Sequence, residues 1–149
     1  MGLDMFFSAK KCPDNKIRTE VKKVAKGFCD QWEVQEIVYD VAYWRKANAI
    51  HDWFVENVQD GEDDCRECHV PHSKIVDLYD IICEVLKNRE RASELLPTTS
   101  GFFFGSTEYD EWYFDGLEYT KNVFEPIVEA IKAEDMMIYD FAFYYSSSW

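Results

Sequence analysis

Over the first ten residues apolar and polar positions alternate, with Leu3, Met5, Phe7 and Ala9 interleaved with Asp4, Phe6, Ser8 and Lys10. A period of two is that of a half-buried strand, and Cys12-Pro13-Asp14-Asn15 supplies turn chemistry to end it. Residues 16–33 suit two readings, a short helix or an edge strand, because the apolar spacing of the basic run KIRTEVKKVAKGF is compatible with both. From Glu33 to Tyr43, β-branched residues among acids favour a second strand. The short period returns from Met136, where Tyr139, Phe141, Phe143 and Tyr145 alternate with Ile138, Asp140, Ala142 and Tyr144. This terminal strand is expected beside the N-terminal one or its neighbour.

Between these segments the period lengthens. From Tyr43 to Val58, at about 100° per residue, Trp44, Ala47, Ile50, His51, Phe54, Val55 and Val58 fall on one arc. Arg45, Asp52 and Glu56 fall opposite, which predicts an amphipathic helix and leaves Trp53 needing cover from elsewhere. Residues 59–71 read as a loop. Ser73 is placed to cap a second helix running to about Asn88, with Ile75, Leu78, Tyr79, Ile82, Val85 and Leu86 inside. Thr107 is placed to cap a third, whose inner arc is Tyr109, Tyr113, Leu117, Phe124, Ile127, Val128 and Ile131. Pro126 is expected to kink or split it. The sum is one α+β domain over residues 1–149. Three main helices pack on a small, mostly antiparallel sheet formed by the N-terminal, 33–43 and C-terminal strands.

Composition narrows the class. With 149 residues, 47% hydrophobic and 17% aromatic, the chain can bury a core and is not of disordered type. No apolar run is long enough to span a bilayer, and the opening MGLDMFFSAKK lacks an export pattern, so a cytoplasmic protein with no membrane association is expected. The five cysteines are then expected to be reduced thiols. The net charge of −13 is uneven: residues 1–27 carry seven Lys/Arg against three acids, and residues 28–149 carry nine against twenty-six, a net of −17. Such a body repels polyanions, which argues against direct nucleic-acid binding. An acidic surface suits a basic partner protein instead, including one whose nucleic-acid site it would occupy.

Several chemistries fall away on spacing. Cys65-Arg66-Glu67-Cys68-His69 has the C-x-x-C-H form of haem attachment, a modification of exported proteins. Zinc on Cys65, Cys68 and His72 is the alternative to haem, and the spacing suits it poorly, because zinc sites usually draw on two separated pairs of ligands. No cofactor or metal is therefore expected. The chain has no G-x-S-x-G elbow, and no Lys-Ser/Thr follows Gly105 as a Walker loop requires.

What remains is a recognition loop, LLPTTSGFFFGSTEYDEWYFD, set against the first helix. Thr98, Thr99, Ser100, Ser106 and Thr107 supply hydroxyls, and the start of the third helix, with Asp110 in its first turn, supplies backbone N–H groups that suit an anion. Phe103 among Phe102 to Phe104, with Trp112 and Tyr113, offers faces for a ring to stack on. Arg45, Lys46, Asn48 and His51 are the clustered basic and amide groups that would stand opposite. The competing account spends these residues on structure: hydroxyls in turns, phenylalanines in the core, Arg45 on surface acids, His51 as a hydrogen-bonded core histidine. An enzyme using His51 and Asp110 on a phosphoester is a third expectation.

The blocks MGLDM, YWRKANAIHDWF, LLPTTSGFFFGSTEYDEWY and YYSSSW resemble a family of small proteins encoded by bacteriophages and prophages. The resemblance covers nearly the whole chain and implies an origin; it carries no activity with it. It implies an accessory protein acting in a bacterial host cell, for example against a defence system. Joined to the loop and helix, it gives the leading expectation: a non-enzymatic protein that binds a small nucleotide-like ligand. An acidic protein blocking a basic site on a host protein is the alternative.

Overall fold

The computed structural model describes residues 2–25 and 31–149. Cys29 and the middle of the 16–33 segment lie outside the described residues. Strand β1 (Asp4–Lys11) leads to helix α1 (Asn15–Ala25), strand β2 (Ile37–Arg45) and helix α2 (Asn48–Val58). There follow strand β3 (Cys68–Val70), helices α3 (His72–Lys87), α4 (Ala92–Leu95) and α5 (Glu111–Lys132), and strand β4 (Phe141–Ser148). The four strands form one antiparallel sheet in the order β2-β1-β4-β3. The chain is therefore α+β, and β4 does pair with the N-terminal strand. Among the described residues no helix is long and apolar enough to cross a membrane.

The alternation in β1 is the reason for its central place. Leu3, Met5, Phe7 and Ala9 are buried, and Phe7 meets Trp44, Phe54, Phe124 and Phe143 with ring centroids 5.0–6.4 Å apart. These partners come from two strands and two helices, so one side chain joins the sheet to both α2 and α5. The β1/β2 register slips between Phe7 and Ser8, where Ala42 and Asp40 are the successive partners and Val41 is left over as a bulge. Trp53 is covered within the chain, at 8% exposure, and packs edge-on to Phe54.

Several boundaries depart from expectation, each for a local reason. Tyr43, Trp44 and Arg45 continue β2 because they pair with Phe6, Met5 and Asp4; the helix begins only at Asn48, after Lys46 turns the chain at φ 58°. Helix α3 begins at His72 after Pro71, whose fixed φ suits a helix entry, so Ser73 is not its cap. Helix α5 is capped by Asp110, which accepts from the Tyr113 N–H at 3.1 Å; Thr107 lies upstream and Tyr109 is exposed. Pro126 does not split α5, which runs unbroken with Phe124 and Val128 buried on either side of it. Residues 136–140 form a 3-10 turn in place of strand, started by Asp135 accepting from the Met137 N–H at 2.9 Å. The 59–71 segment contains β3, whose three residues gain their order by pairing with β4. The ambiguous segment opens as helix α1, where Asp14 accepts from the Ile17 N–H at 2.8 Å as an N-cap.

Candidate functional site

The loop between α4 and α5 is fixed by Asn48. This side chain, 3% exposed at the first position of α2, donates to the carbonyls of Phe104 (3.1 Å) and Ser106 (2.8 Å) and accepts from the Thr99 N–H (3.2 Å). All its hydrogen-bonding directions toward the loop are thus used. Leu3 N–H donates to the Phe103 carbonyl and Lys46 N–H to the Leu3 carbonyl, so the loop also leans on the entry to β1. Gly105 completes the fit: it sits at φ 87°, and a Cβ there would lie 3.1 Å from the Lys46 Cβ.

These contacts border an open cleft of about 630 Å³ between the end of β2, the start of α2, the loop and the first turns of α5. Of the expected residues, Arg45, Lys46, Asn48, Thr98, Ser106, Asp110 and Tyr113 line it. His51, Thr99, Ser100, Phe103 and Thr107 do not. Thr99 uses its backbone on Asn48, Thr107 uses its carbonyl on the Thr98 hydroxyl at 2.8 Å, and Phe103 uses its carbonyl on Leu3. Ser100 is exposed beyond the cavity. The three phenylalanines divide: Phe102 is 96% exposed, while Phe104 packs into the core against the His51 ring at 5.0 Å.

His51 is buried and occupied on both ring nitrogens. Nδ1 lies 2.7 Å from the Tyr145 hydroxyl and Nε2 3.0 Å from an Asp63 carboxylate oxygen. The other Asp63 oxygen accepts from the Trp149 indole N–H at 3.1 Å. An ionised carboxylate only accepts, so Nε2 carries the proton and Nδ1 accepts from Tyr145. Burial, followed by the charge of Asp63, pushes the Tyr145 phenol well above its ordinary pKa and keeps it a donor. His51 is therefore a brace between β4 and the 59–67 segment. It does not join Asp110, which lines the cavity and caps α5.

The anion-favouring end also moves. Asp110 occupies the start of α5, and its carboxylate takes the place an anion would have had. The start of α2 has no side-chain cap, and its residues Ala47, Asn48, Ala49 and Ile50 line the cavity beside Arg45 and Lys46. Among the described residues neither Arg45 nor Lys46 forms an ion pair. Across the lining, Glu108, Asp110 and Asp115 contribute carboxylates, and Trp112, 85% exposed, contributes a large open ring face.

Gly116 is the residue sequence reasoning missed. It lies within α5 at an unstrained φ and lines the cavity, and a Cβ placed on it would meet nothing within 4 Å. Glycine within a helix costs roughly 1 kcal/mol relative to alanine. No close approach requires it here, so the open volume is the feature it preserves. Its signal in the sequence was a mid-helix glycine far from either end. Tyr43, Trp44 and Tyr119, also in the lining, were hidden by the misplaced strand end and by their aromatic character.

Cys65, Cys68 and His72 do not gather as a metal site. The Cys68 sulfur accepts from Arg66 Nε at 3.3 Å, and His72 stands between the Tyr139 and Phe143 rings. Among the described residues no three His, Cys, Asp or Glu side chains converge as a metal would need.

Next to the loop, the Asp52 carboxyl is pushed above its ordinary pKa. Burial is the larger cause and Glu56 adds repulsion, while His51 and a hydrogen bond with Thr99 act oppositely. A carboxyl with a raised folded pKa opposes folding when ionised, so its cost is present above that pKa and is relieved as pH falls through it. Asp52→Asn is expected to give a small rise in melting temperature at pH 7 that disappears as pH falls through the raised pKa, read by thermal unfolding across pH.

Set against protein-family models, curated protein sequences and solved structures, the chain finds no match. The fold and geometry define it as an α+β protein with an open, mixed-charge, aromatic cleft.

Proposed function

We propose that the protein is a non-enzymatic binding protein whose cleft takes a small nucleotide-like ligand. The observation carrying this reading is one cavity whose lining brings Arg45, Lys46 and an uncapped helix start together with an exposed tryptophan face. Backbone N–H groups and guanidinium or ammonium groups hold a phosphate, and an indole face stacks a planar base. The volume of about 630 Å³ falls in the range of small-molecule sites. The phage resemblance supports a bacterial host cell as the setting and a host-defence signal of this chemistry as the ligand.

The test is isothermal titration against mono- and cyclic nucleotides, with Gly116→Leu as the matched variant. The wild type is expected to bind at least one of them tighter than millimolar. The variant is expected to lose that binding through occlusion while keeping or gaining helix stability. Absence of binding by the wild type ends the reading, as does unchanged binding by a folded Gly116→Leu protein.

The net charge of −17 over residues 28–149 favours a second reading, an acidic protein that covers a basic site on a host protein. Capture of a basic partner that is released by salt, and is unaffected by Gly116→Leu, would select it over the first.

A further inference from the structure

We infer that two copies of this chain form a symmetric dimer in which helix α1 of each lies on the 134–140 turn of the other. Both elements stand at one corner of the molecule. Lys11 pairs with Ile37 and Phe141 in the sheet, its ammonium lies 3.5 Å from the Asp140 carboxylate, and α1 begins shortly after it at Asn15. The cleft is at the far end of β2, where Tyr43, Trp44 and Arg45 pair with Phe6, Met5 and Asp4.

The turn holds two methionines in water. Its Asp135 side chain accepts from the Met137 N–H, and the Asp135 carbonyl accepts from the Ile138 N–H at 3.1 Å. Ile138 packs against the core and the Tyr139 ring lies 5.3 Å from that of His72, so the turn is anchored on its inner side. Met136 and Met137 are left outside, 78% and 69% exposed. Adjacent exposed methionines are an adaptable apolar surface of the kind that moulds to a helix. Helix α1 offers the matching edge: Ile17 and Val21, four residues apart, share one side, and Val21 is 39% exposed. Among the described residues α1 has no extensive packing against any other element.

Charge selects this pairing. Helix α1 carries Lys16, Arg18, Lys22 and Lys23 against Glu20, a net of +3. The turn carries Glu134, Asp135 and Asp140 with no cation, a net of −3. Among the described residues Lys16, Arg18, Glu134 and Asp135 enter no ion pair. Exposed ion pairs add little affinity each but decide which surfaces meet. The methionines supply the affinity.

The exit of α1 from β1 makes the contact one between copies. Pro13 is buried, Asp14 caps the first turn of the helix, and Arg18 Nε donates to the Pro13 carbonyl at 3.1 Å. These contacts set the direction of α1, and in that direction it leaves Met136 and Met137 of its own chain uncovered. A second copy related by a two-fold axis makes the contact twice and closes, because each chain brings both the helix and the turn.

Sedimentation velocity on the full chain over a concentration series tests this. The wild type is expected to dimerise and to dissociate as salt is raised. Lys16→Glu/Lys22→Glu and Glu134→Lys/Asp140→Lys change exposed positions only, and each is expected to weaken the dimer at least about tenfold. Mixed in equal amounts, they are expected to restore it, since each altered surface then meets its opposite. Met136→Ser/Met137→Ser is expected to abolish the dimer with the charges intact. A wild type that stays monomeric to millimolar concentration overturns the inference, and if it then binds vesicles of anionic phospholipid, a membrane surface takes the place of the second copy. A dimer unchanged in all three variants, or a mixture that stays monomeric, overturns it as well. Nucleotide titration of the same variants is expected to match the wild type, so the dimer and the cleft stand or fall separately.

Discussion

Asn48→Leu is expected to destabilise the protein by about 2–4 kcal/mol, the largest loss from any single polar substitution at the cleft. Leucine matches the shape of asparagine and keeps the apolar packing, so what is lost is the hydrogen bonding. Three backbone groups lose their partner at once: the carbonyls of Phe104 and Ser106 and the N–H of Thr99. Each unpaired buried group costs about 1–3 kcal/mol, and those at the loop surface recover part of this from water. In a chain of this size that is a fall of about 5–15 °C in melting temperature. The loss should be accompanied by faster proteolytic cleavage within residues 98–107. Asn48→Asp separates the contributions, because it keeps an acceptor for Thr99 but sets a carboxylate against two carbonyls. A urea unfolding curve for Asn48→Leu within about 0.5 kcal/mol of wild type would show that the loop is held by something else.

The expectation that α2 and the loop stand together was carried by their polar residues on otherwise apolar segments. That signal located the neighbourhood and misassigned the roles. Asn48 and His51 lie three residues apart on one arc, and periodicity places both on the inner face. It does not distinguish a side chain that meets a loop carbonyl from one that meets a tyrosine on a distant strand. The partners that decide this, Tyr145 and Asp63, are 94 and 12 residues away from His51 in the chain. Non-local pairing also explains the strand end at Arg45. Tyr43 and Trp44 satisfy both a period of two and a period of 3.6, and the ladder to Asp4, Met5 and Phe6 chooses between them. Strand β3 is shorter still, three residues with no period to read. By contrast β1, α3 and the body of α5 were legible because each repeats its pattern over several turns or pleats, with Met5, Phe7, Ile75, Leu78, Ile82, Leu117, Phe124 and Val128 inside.

The cleft was harder to read, because an empty space leaves only indirect marks in a sequence. Gly116 is such a mark, and it is informative only once its surroundings exclude a turn, a cap and a close approach. The carboxylates Glu108 and Asp115 carry little signal in a chain with 29 acids. They share a lining with Arg45 and Lys46 where α5 passes the end of β2, and there Trp44 Nε1 donates to Thr120 Oγ1 at 2.7 Å in the interior.

The second large effect is expected at the buried brace. His51→Leu should cost about 2–4 kcal/mol, because the Tyr145 hydroxyl, wholly inside the protein, is left with no acceptor and Asp63 loses a donor. Tyr145→Phe should cost less, about 1–2 kcal/mol, since it strands only Nδ1 of His51 and keeps the ring stacked on Phe54 at 4.0 Å. Combining the two removes both members of the bond, so the double variant should be more stable than the sum of the single losses predicts, by about 1 kcal/mol or more. That coupling is what a direct contact gives, whereas independent sites add to within about 0.3–0.5 kcal/mol. The cycle also separates the brace from the cleft. Because neither His51 nor Tyr145 lines the cavity, nucleotide affinity measured well below the melting point should be unchanged in Tyr145→Phe. Additive energies would remove the Tyr145–His51 bond from the account of stability. A change in affinity in Tyr145→Phe would show that the brace reaches the ligand through α2.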